Sequence, residues 1–286
     1  LTCPTWYHLY KGEICERCLQ SGEHWCVLRN CRDNYLESMV YALRSYIVRE
    51  SRWFHDNVTQ FIVPSKFMHD RLISSGFPPE RIRTIWNAVS VPEQLAEPIH
   101  GEYVAFAGRL SPEKGVESLI EAARMFPSIP FRIAGTGLLK DELQQRAPEN
   151  VTFVGFLDEA ELARFYRRAR IHVVPSISYE VFPISAAEGM AFGLPVIASR
   201  IGGLPEVVQE NTTGLLIQPK DVNMLSAKIG ELWDDPLRCQ KMGLAGREWV
   251  ATYLSKEKYI SKLLLAYREA QSSANFADCV TTEATN

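Results

Sequence analysis

From about residue 101 onward, short apolar runs alternate with amphipathic stretches along the chain. Segments such as ESLIEAARMF and DEAELARFYRRAR space apolar residues three and four apart, which indicates helices between the runs. Alternating strands and helices predict βαβ units around a parallel sheet that is covered on both faces. The fold class is therefore α/β. The predicted strands are Tyr103–Ala107, Phe131–Ala134, Val151–Val154, Ile171–Val174, Val196–Ala198 and Gly214–Ile217.

The region before residue 101 is less regular. The stretch YLESMVYALRSYIV predicts a helix whose apolar stripe is formed by Leu36, Met39, Val40, Leu43 and Ile47. Such a stripe could meet a membrane surface, but we favour a helix that faces a protein core. A strand end (QFIVPS), a helix (KFMHDRLISSG) and another short strand (FPPERIRTIWNAV) follow. These pieces are typical of the second half of an α/β domain.

The sequence divides the chain into five parts. A polar segment with two prolines over residues 88–100 is typical of a linker. We expect a partial amino-terminal domain over 1–87 with a cysteine-rich segment at 3–31, a complete domain over 101–235, closing helices over 236–272 and a polar tail over 273–286.

Composition narrows the classes of partner. Of the 286 residues, 46% are hydrophobic, and the net charge is −3. This near-neutral charge gives no reason to expect a surface that binds nucleic acid. No run approaches the roughly 20 apolar residues of a membrane span, and the first residues lack the pattern of a secretory signal. The chain begins with Leu rather than Met, which suggests a fragment or a processed start.

Five of the seven cysteines crowd into the first part of the chain. Without an export signal, reduced thiols or a metal site are expected rather than a disulfide framework. One C-x-x-C pair suggests a structural zinc, although a second pair, which would make the pattern specific, is absent. The alternative is a set of reduced structural cysteines. The preferred zinc ligands are Cys3, Cys15, Cys18 and Cys31, with Cys26 or His24 as substitutes.

The first strand-to-helix junction with candidate chemistry is VAFAGRLSPEKG. Gly108 follows the strand, and Arg109 and Lys114 carry two cations five residues apart. Ligands of open parallel sheets bind at the carboxyl ends of strands, so this pair suggests a clamp for a diphosphate. A solvated loop with two surface cations is an equally good interpretation of this segment alone.

Two further junctions follow. In FRIAGTGLL, Gly135 and Gly137 favour a tight turn over a dinucleotide site, because the full glycine fingerprint is absent. In VVPSISYEVFPISAAEGMAFG, Glu180 falls in a loop and Glu188 about one turn inside a helix that starts near Pro183. Carboxylates accept hydrogen bonds from vicinal hydroxyls, as on a ribose or a hexose.

Together the segments GRLSPEKG, EVFPISAAE, GLPVIAS, GGLPEVV and TTGLLIQP resemble the retaining glycosyltransferases of family 4, over roughly residues 60–235. The resemblance implies a GT-B architecture, here with one complete Rossmann-like domain and the second half of another. It also implies that Arg109 and Lys114 bind the donor diphosphate, Glu180 the donor sugar and Glu188 the ribose. Asn87 matches a family asparagine at the domain junction.

The resemblance assigns catalytic roles to Arg109, Lys114 and Glu180. Two departures from the family pattern stand out: Val181-Phe182-Pro183 replaces Gly-Phe-Gly, and the chain starts after the family's glycine-rich loop. Proline has no N–H, so Pro183 cannot donate the backbone hydrogen bond to the donor that the resemblance would imply at this position. The implied donor-binding set is Gly108, Arg109, Lys114, Gly155, Phe156, Glu180, Phe182, Ile184 and Glu188.

The implied reaction moves a sugar, with retention, from a nucleotide-diphosphate donor to a saccharide or lipid-linked acceptor in polysaccharide assembly. No metal cofactor is expected for transfer, and peripheral association with the cytoplasmic face of a membrane is implied. Two alternatives stay open at this point: a nucleotide-sugar-binding remnant without activity, and a zinc-stabilised interaction module.

Overall fold

The computed structural model describes residues 3–5 and 8–283, with side chains as far as residue 272. Leu1 and Thr2, the first residues of the given sequence, therefore lie outside the described residues. The chain forms two compact units, Leu1–Trp86 with Glu257–Asn286, and Asn87–Lys256. Within the described residues no helix combines the length and the apolar character needed to cross a membrane.

The first unit contains an antiparallel pair of short strands near its start and a parallel pair of short strands later in the chain. Helix α3 starts at an Asn34 cap, whose side chain accepts from the backbone N–H groups of Leu36 and Glu37. Val63, Leu72 and Ile82 form a small core around the parallel pair. The elements are β1 Leu9–Tyr10, β2 Glu13–Ile14, α1 Arg17–Ser21, α2 His24–Leu28, α3 Tyr35–Glu50, α4 Trp53–Asn57, β3 Phe61–Val63, α5 Lys66–Ser74 and β4 Ile82–Thr84.

The helix predicted over YLESMVYALRSYIV is present as α3, but the prediction that its apolar stripe faces a core is wrong. The five stripe residues are between 49% and 70% exposed, while Ser38 and Ala42 are the buried positions of the helix. The Ser38 hydroxyl accepts from the Arg32 backbone N–H and donates to Asn30. Short side chains let α3 approach the α2 region closely, so that face is buried instead of the apolar one.

The second unit is built around six parallel strands in the order β10-β9-β8-β5-β6-β7. All six predicted strands are confirmed, with ends that differ by two residues or fewer. The elements are β5 Tyr103–Ala107, α6 Val116–Arg124, β6 Phe131–Ala134, α7 Lys140–Arg146, β7 Val151–Gly155, α8 Glu159–Arg167, β8 Ala169–Val174, α9 Ile184–Ala191, β9 Val196–Ser199, α10 Leu204–Val207, β10 Gly214–Ile217, α11 Val222–Trp233 and α12 Pro236–Tyr253.

Two apolar layers cover the two faces of this sheet. Alternate residues of β5 enter different clusters: Val104 and Phe106 pack with α6 and α11, whereas Tyr103 and Ala105 pack with Phe165 of α8. Both faces are thus buried, which explains why these strands are continuous apolar runs rather than alternating ones.

The segment 88–100, predicted as a linker, lies within the second unit. The Val89 N–H donates to the Leu254 carbonyl, and the Ala96 N–H donates to the Phe192 carbonyl. The last helix, α13 (Lys256–Glu283), continues into the segment predicted as a polar tail, since no glycine or proline interrupts it. Arg83 Nε donates to Glu269 Oε2 of this helix at 3.0 Å within the first unit.

His172 is a fully buried histidine in the middle of β8. Gly189 of α9 allows this packing, because a Cβ there would come within 2.7 Å of the His172 ring. Among the described residues, neither ring nitrogen makes a hydrogen bond of good geometry, although the backbone groups of Ala105 and Ser185 lie close to the ring. Burial lowers the pKa of His172 to about 4, and the Ala105 and Ser185 backbone groups oppose this lowering only in part.

The second unit is therefore expected to lose stability in mild acid. An unfolded histidine binds a proton below about pH 6.5, whereas the buried ring resists protonation down to about pH 4. The free energy of unfolding should fall by up to about 3 kcal/mol as the pH drops through this window.

Urea unfolding between pH 4 and 7 measures this slope. His172→Phe should flatten it, while His100→Phe, at an exposed histidine of the same unit, should leave it unchanged. An equally steep slope in the His172 variant would contradict the assignment.

Candidate functional site

The strand order places two junctions side by side. The chain runs from β5 outward to β7, then returns to the other side of β5 to form β8. At such a reversal the connections on either side of the two central strands diverge, which leaves a crevice at the carboxyl ends. The loops after β5 and β8 carry Arg109, Lys114 and Glu180, so the predicted residues meet at the expected place.

The two loops approach each other closely at Gly115. A Cβ on this residue would stand 2.0 Å from the Pro175 carbonyl oxygen, and its φ of +65° is left-handed. The Ile177 N–H donates to the Glu113 carbonyl at 2.9 Å, which joins the loops through their backbones. Glycine is therefore required here for the approach itself.

This approach brings a lysine and a glutamate into direct contact. Lys114 Nζ lies 2.6 Å from Glu180 Oε1, and the two side chains are 24% and 16% exposed. The Ser176 hydroxyl donates to the same oxygen at 2.6 Å. Two donors thus converge on one oxygen of the carboxylate.

The backbone of Glu180 is fixed by a third loop. The Gly203 N–H donates to the Glu180 carbonyl at 2.7 Å. A Cβ on Gly202 would lie 2.5 Å from that carbonyl oxygen, and the φ of Gly202 is +57°. The Gly-Gly pair therefore allows the turn after β9 to hold the Glu180 loop.

Arg109 stands at the open side of the site. Its side chain is 68% exposed, and Nη2 lies 3.3 Å from Glu113 Oε1. Ser111 Oγ donates to the same oxygen at 2.7 Å. Gly108 follows β5 directly, where an added Cβ would touch the Phe106 ring. The loop thus presents one exposed cation and one partly buried cation.

Glu188 lies in the second turn of α9, which begins at Ile184 after a Pro183 cap. Burial raises the pKa of the Glu188 carboxyl. Burial, with a smaller effect of the Glu188 charge, also raises the pKa of the Tyr166 hydroxyl. Phe182 is buried, whereas Ile184 is exposed. A carboxylate in this setting gains from a hydroxyl-bearing ligand.

The carboxyl ends of β6 and β7 lie next to the β5 loop at the same edge of the sheet. The Gly135 N–H donates to the Gly155 carbonyl at 2.7 Å, and the Phe156 side chain is exposed. A Cβ on Gly135 would meet the Gly108 carbonyl oxygen at 1.8 Å, and one on Gly137 the Leu110 carbonyl oxygen at 2.3 Å. These glycines serve loop packing, in agreement with the interpretation of GTG as a tight turn.

Sequence reasoning missed three residues of this site: Glu113, Gly115 and Ser176. Glu113 bonds both Arg109 and Ser111, Gly115 permits the loop approach, and Ser176 holds Glu180. Ser176 follows β8 by two positions, and a hydroxyl at a strand end is a signal that could have identified it.

The cysteine-rich segment is the place of the predicted structural zinc. In the described chain no group of three or more His, Cys, Asp or Glu side chains could hold a metal ion. The five thiols are close enough to influence one another: burial, with the neighbouring thiols, raises the pKa of Cys18 and of Cys31 to about 12. Arg29 Nη1 donates to Cys15 Sγ at 3.3 Å. The zinc site gains no support from this geometry and stays a prediction.

Two family models match the chain. The model described as "Glycosyl transferases group 1" matches residues 91–249, and "Glycosyltransferase Family 4" matches residues 29–92. The first match covers more than half of the chain and contains the whole candidate site.

Curated relatives extend the comparison. The chain is 35% identical over 228 residues to glycogen synthase of Mycobacterium tuberculosis, covering 74% of this chain and 53% of the relative. It is 31% identical over 188 residues to a GDP-mannose-dependent phosphatidylinositol monomannoside mannosyltransferase of Mycolicibacterium smegmatis, covering 59% and 49%. The chain spans about half the length of the curated relatives it matches.

Solved structures share the fold. Sucrose-phosphate synthase from Thermosynechococcus elongatus superposes with a TM-score of 0.70 at 28% identity, covering 78% of this chain and 61% of that one. HepE of Anabaena, in complex with UDP, gives a TM-score of 0.69 at 20% identity, covering 76% and 65%. The predicted α/β class of GT-B type is confirmed.

Gly115→Ala is expected to separate the two loops. The added methyl cannot stand 2.0 Å from the Pro175 carbonyl oxygen, and the positive φ adds strain, so unfolding should become easier by about 2–4 kcal/mol. Urea unfolding measures the change.

Gly193→Ala is the matched control. Its φ is also positive, at +82°, but the nearest atom to an added Cβ is 3.6 Å away. It should cost only about 1–2 kcal/mol. Equal costs at the two glycines would show that the loop approach is not tight.

Proposed function

Because the chain belongs to the family described as glycosyl transferases group 1, we propose that it moves a sugar from a nucleotide-diphosphate donor to an acceptor hydroxyl with retention. The observation that carries the proposal is the Lys114–Glu180 contact, at 2.6 Å, across the crevice between β5 and β8. It sets a cation for a diphosphate beside a carboxylate for sugar hydroxyls.

In this reaction the bond between the anomeric carbon and the diphosphate oxygen breaks, and the diphosphate leaves with the electron pair. A new bond forms from the anomeric carbon to the acceptor oxygen, which loses its proton. Negative charge grows on the departing diphosphate, where Arg109 and Lys114 stabilise it. Such preorganised cations lower the barrier most when they are partly shielded from water, as Lys114 is. With two cations on the loop, we propose that transfer needs no metal cofactor.

The carboxylates divide the donor between them. Glu180, held by Ser176 and Lys114, accepts from hydroxyls of the donor sugar. Glu188 accepts from the ribose hydroxyls, and its burial favours an occupied state in which those hydroxyls replace lost water. Gly155 and Phe156 lie at the carboxyl end of β7, two strands from β5, where we propose that the base binds.

The donor and acceptor follow from the relatives by analogy. HepE structures contain UDP and UDP-glucose, and one relative is named for GDP-mannose. We therefore propose a UDP- or GDP-sugar donor and a saccharide or lipid-linked acceptor of glycan biosynthesis. The exposed apolar stripe of α3 supports peripheral association with the cytoplasmic face of a membrane.

A second candidate function is donor binding without transfer. The chain spans about half the length of its curated relatives, and the β3–β4 pair is the one parallel sheet described in the first unit. The second unit carries the complete candidate donor site. Binding and transfer therefore have to be measured separately.

Lys114→Ala is expected to lower turnover by about two to three orders of magnitude and UDP or GDP affinity by roughly tenfold. The ammonium offers charge that no other described side chain at the crevice supplies from the same partly buried position. Calorimetry with UDP and GDP measures binding, and release of nucleoside diphosphate from UDP-glucose and GDP-mannose measures transfer.

Lys241→Ala, at an exposed lysine of α12, is the charge-matched control and should change neither quantity. Near wild-type transfer by the Lys114 variant would overturn its role. Binding without transfer by the unmodified chain would select the second candidate, and binding of neither diphosphate would reject both.

A further inference from the structure

We infer that Ser176 is a positioning residue that holds Glu180 for recognition of the donor sugar. This inference rests on the proposed function and deepens it. Ser176 is 1% exposed and lies two residues after the end of β8. Its hydroxyl donates to Glu180 Oε1 at 2.6 Å.

The two oxygens of Glu180 have different surroundings. Oε1 accepts from Ser176 Oγ and Lys114 Nζ, both at 2.6 Å. Oε2 has no hydrogen-bond donor among the described residues. A carboxylate accepts hydrogen bonds and donates none, so the open oxygen selects hydroxyl groups. The geometry therefore points Glu180 at a sugar with one oxygen already satisfied.

Binding of the donor diphosphate changes which groups Lys114 bonds. An ammonium that bonds the diphosphate draws away from Glu180, because its three N–H groups and its charge are then shared with the phosphate oxygens. The Ser176 hydroxyl is fixed by β8 and carries no charge that a phosphate would attract. The Ser176 hydroxyl is then the protein donor that still bonds Glu180 Oε1.

Losing that donor has a specific cost. Glu180 is 16% exposed, so water replaces a missing hydrogen bond poorly. Without Ser176 the carboxylate turns toward solvent or toward Lys114, and either movement takes Oε2 from the sugar. The diphosphate contacts of Arg109 and Lys114 need no help from Ser176. The loss should therefore appear with sugar-bearing donors and not with the bare diphosphate.

The experiment compares Ser176→Ala with the unmodified chain by calorimetry, using UDP with UDP-glucose and GDP with GDP-mannose. The quantity of interest is the ratio of the affinity for the sugar nucleotide to that for the matching diphosphate. Ser176→Ala should lower this ratio by roughly tenfold while the diphosphate affinity stays within about twofold of the unmodified chain.

Ser226→Ala is the matched control, since Ser226 is also buried and its hydroxyl donates to the Val222 carbonyl at 2.8 Å in α11, away from the crevice. It should leave the ratio unchanged. In a cycle with Glu180→Gln, the double variant should show no further loss beyond Glu180→Gln, because Ser176 acts through that carboxylate. Ser176→Thr, which keeps the hydroxyl, should retain most of the ratio.

The outcomes distinguish failure of the proposed function from failure of the role inferred for Ser176. Failure of the unmodified chain to bind either diphosphate rejects the proposed function. If the unmodified chain binds, an equal loss of diphosphate and sugar-nucleotide affinity in Ser176→Ala overturns the inference, and so does an additive double variant. A selective loss that disappears in the Glu180→Gln background supports it.

Discussion

The contact between the loops after β5 and β8 is the constraint on which the candidate site depends. Gly115 has no side chain where the Pro175 carbonyl stands, so the loops lie against each other and Lys114 reaches Glu180. Strand order brings the loops to the same edge, but only a residue without a Cβ lets them touch. The Gly202–Gly203 turn then holds Glu180 from the other side. Backbone proximity, not side-chain length, sets the geometry of the charged groups.

The charged side chains of the site differ in how far they are exposed to solvent. Arg109 is exposed, Lys114 and Glu180 are largely shielded, and burial raises the pKa of Glu188. An exposed cation acts over distance and is screened by salt, whereas a shielded pair interacts more strongly and depends on geometry. A doubly charged ligand would thus meet first an adaptable guanidinium and then a fixed ammonium. This arrangement suits a site in which Arg109 first attracts the ligand and Lys114 then fixes its position.

Much of the second unit follows from the sequence because local pattern and global fold agree there. Apolar runs such as IHVVP, bounded by amphipathic helices, favour strands covered on both faces, and all six strands were predicted. That Arg109, Lys114 and Glu180 share an edge follows from parallel topology. The Ser176 hydrogen bond does not, since it depends on loop conformation. The stripe of α3 identifies apolar residues but not what covers them, and the buried face proved to be Ser38 and Ala42. The length of α13 was not predicted, because the polar composition after residue 272 was interpreted as a tail, whereas the helix continues to Glu283.

The first unit is assembled from both ends of the chain, with Glu257–Asn286 joining Leu1–Trp86. Ala266 is buried there, and Glu269 pairs with Arg83. During synthesis the early part of this unit must therefore wait for the whole of Asn87–Lys256 to be made before its last helix arrives. The second unit, by contrast, is contiguous and has its complete sheet earlier. Order of emergence from the ribosome thus favours completion of the second unit's sheet before α13 joins the first unit through long-range contacts.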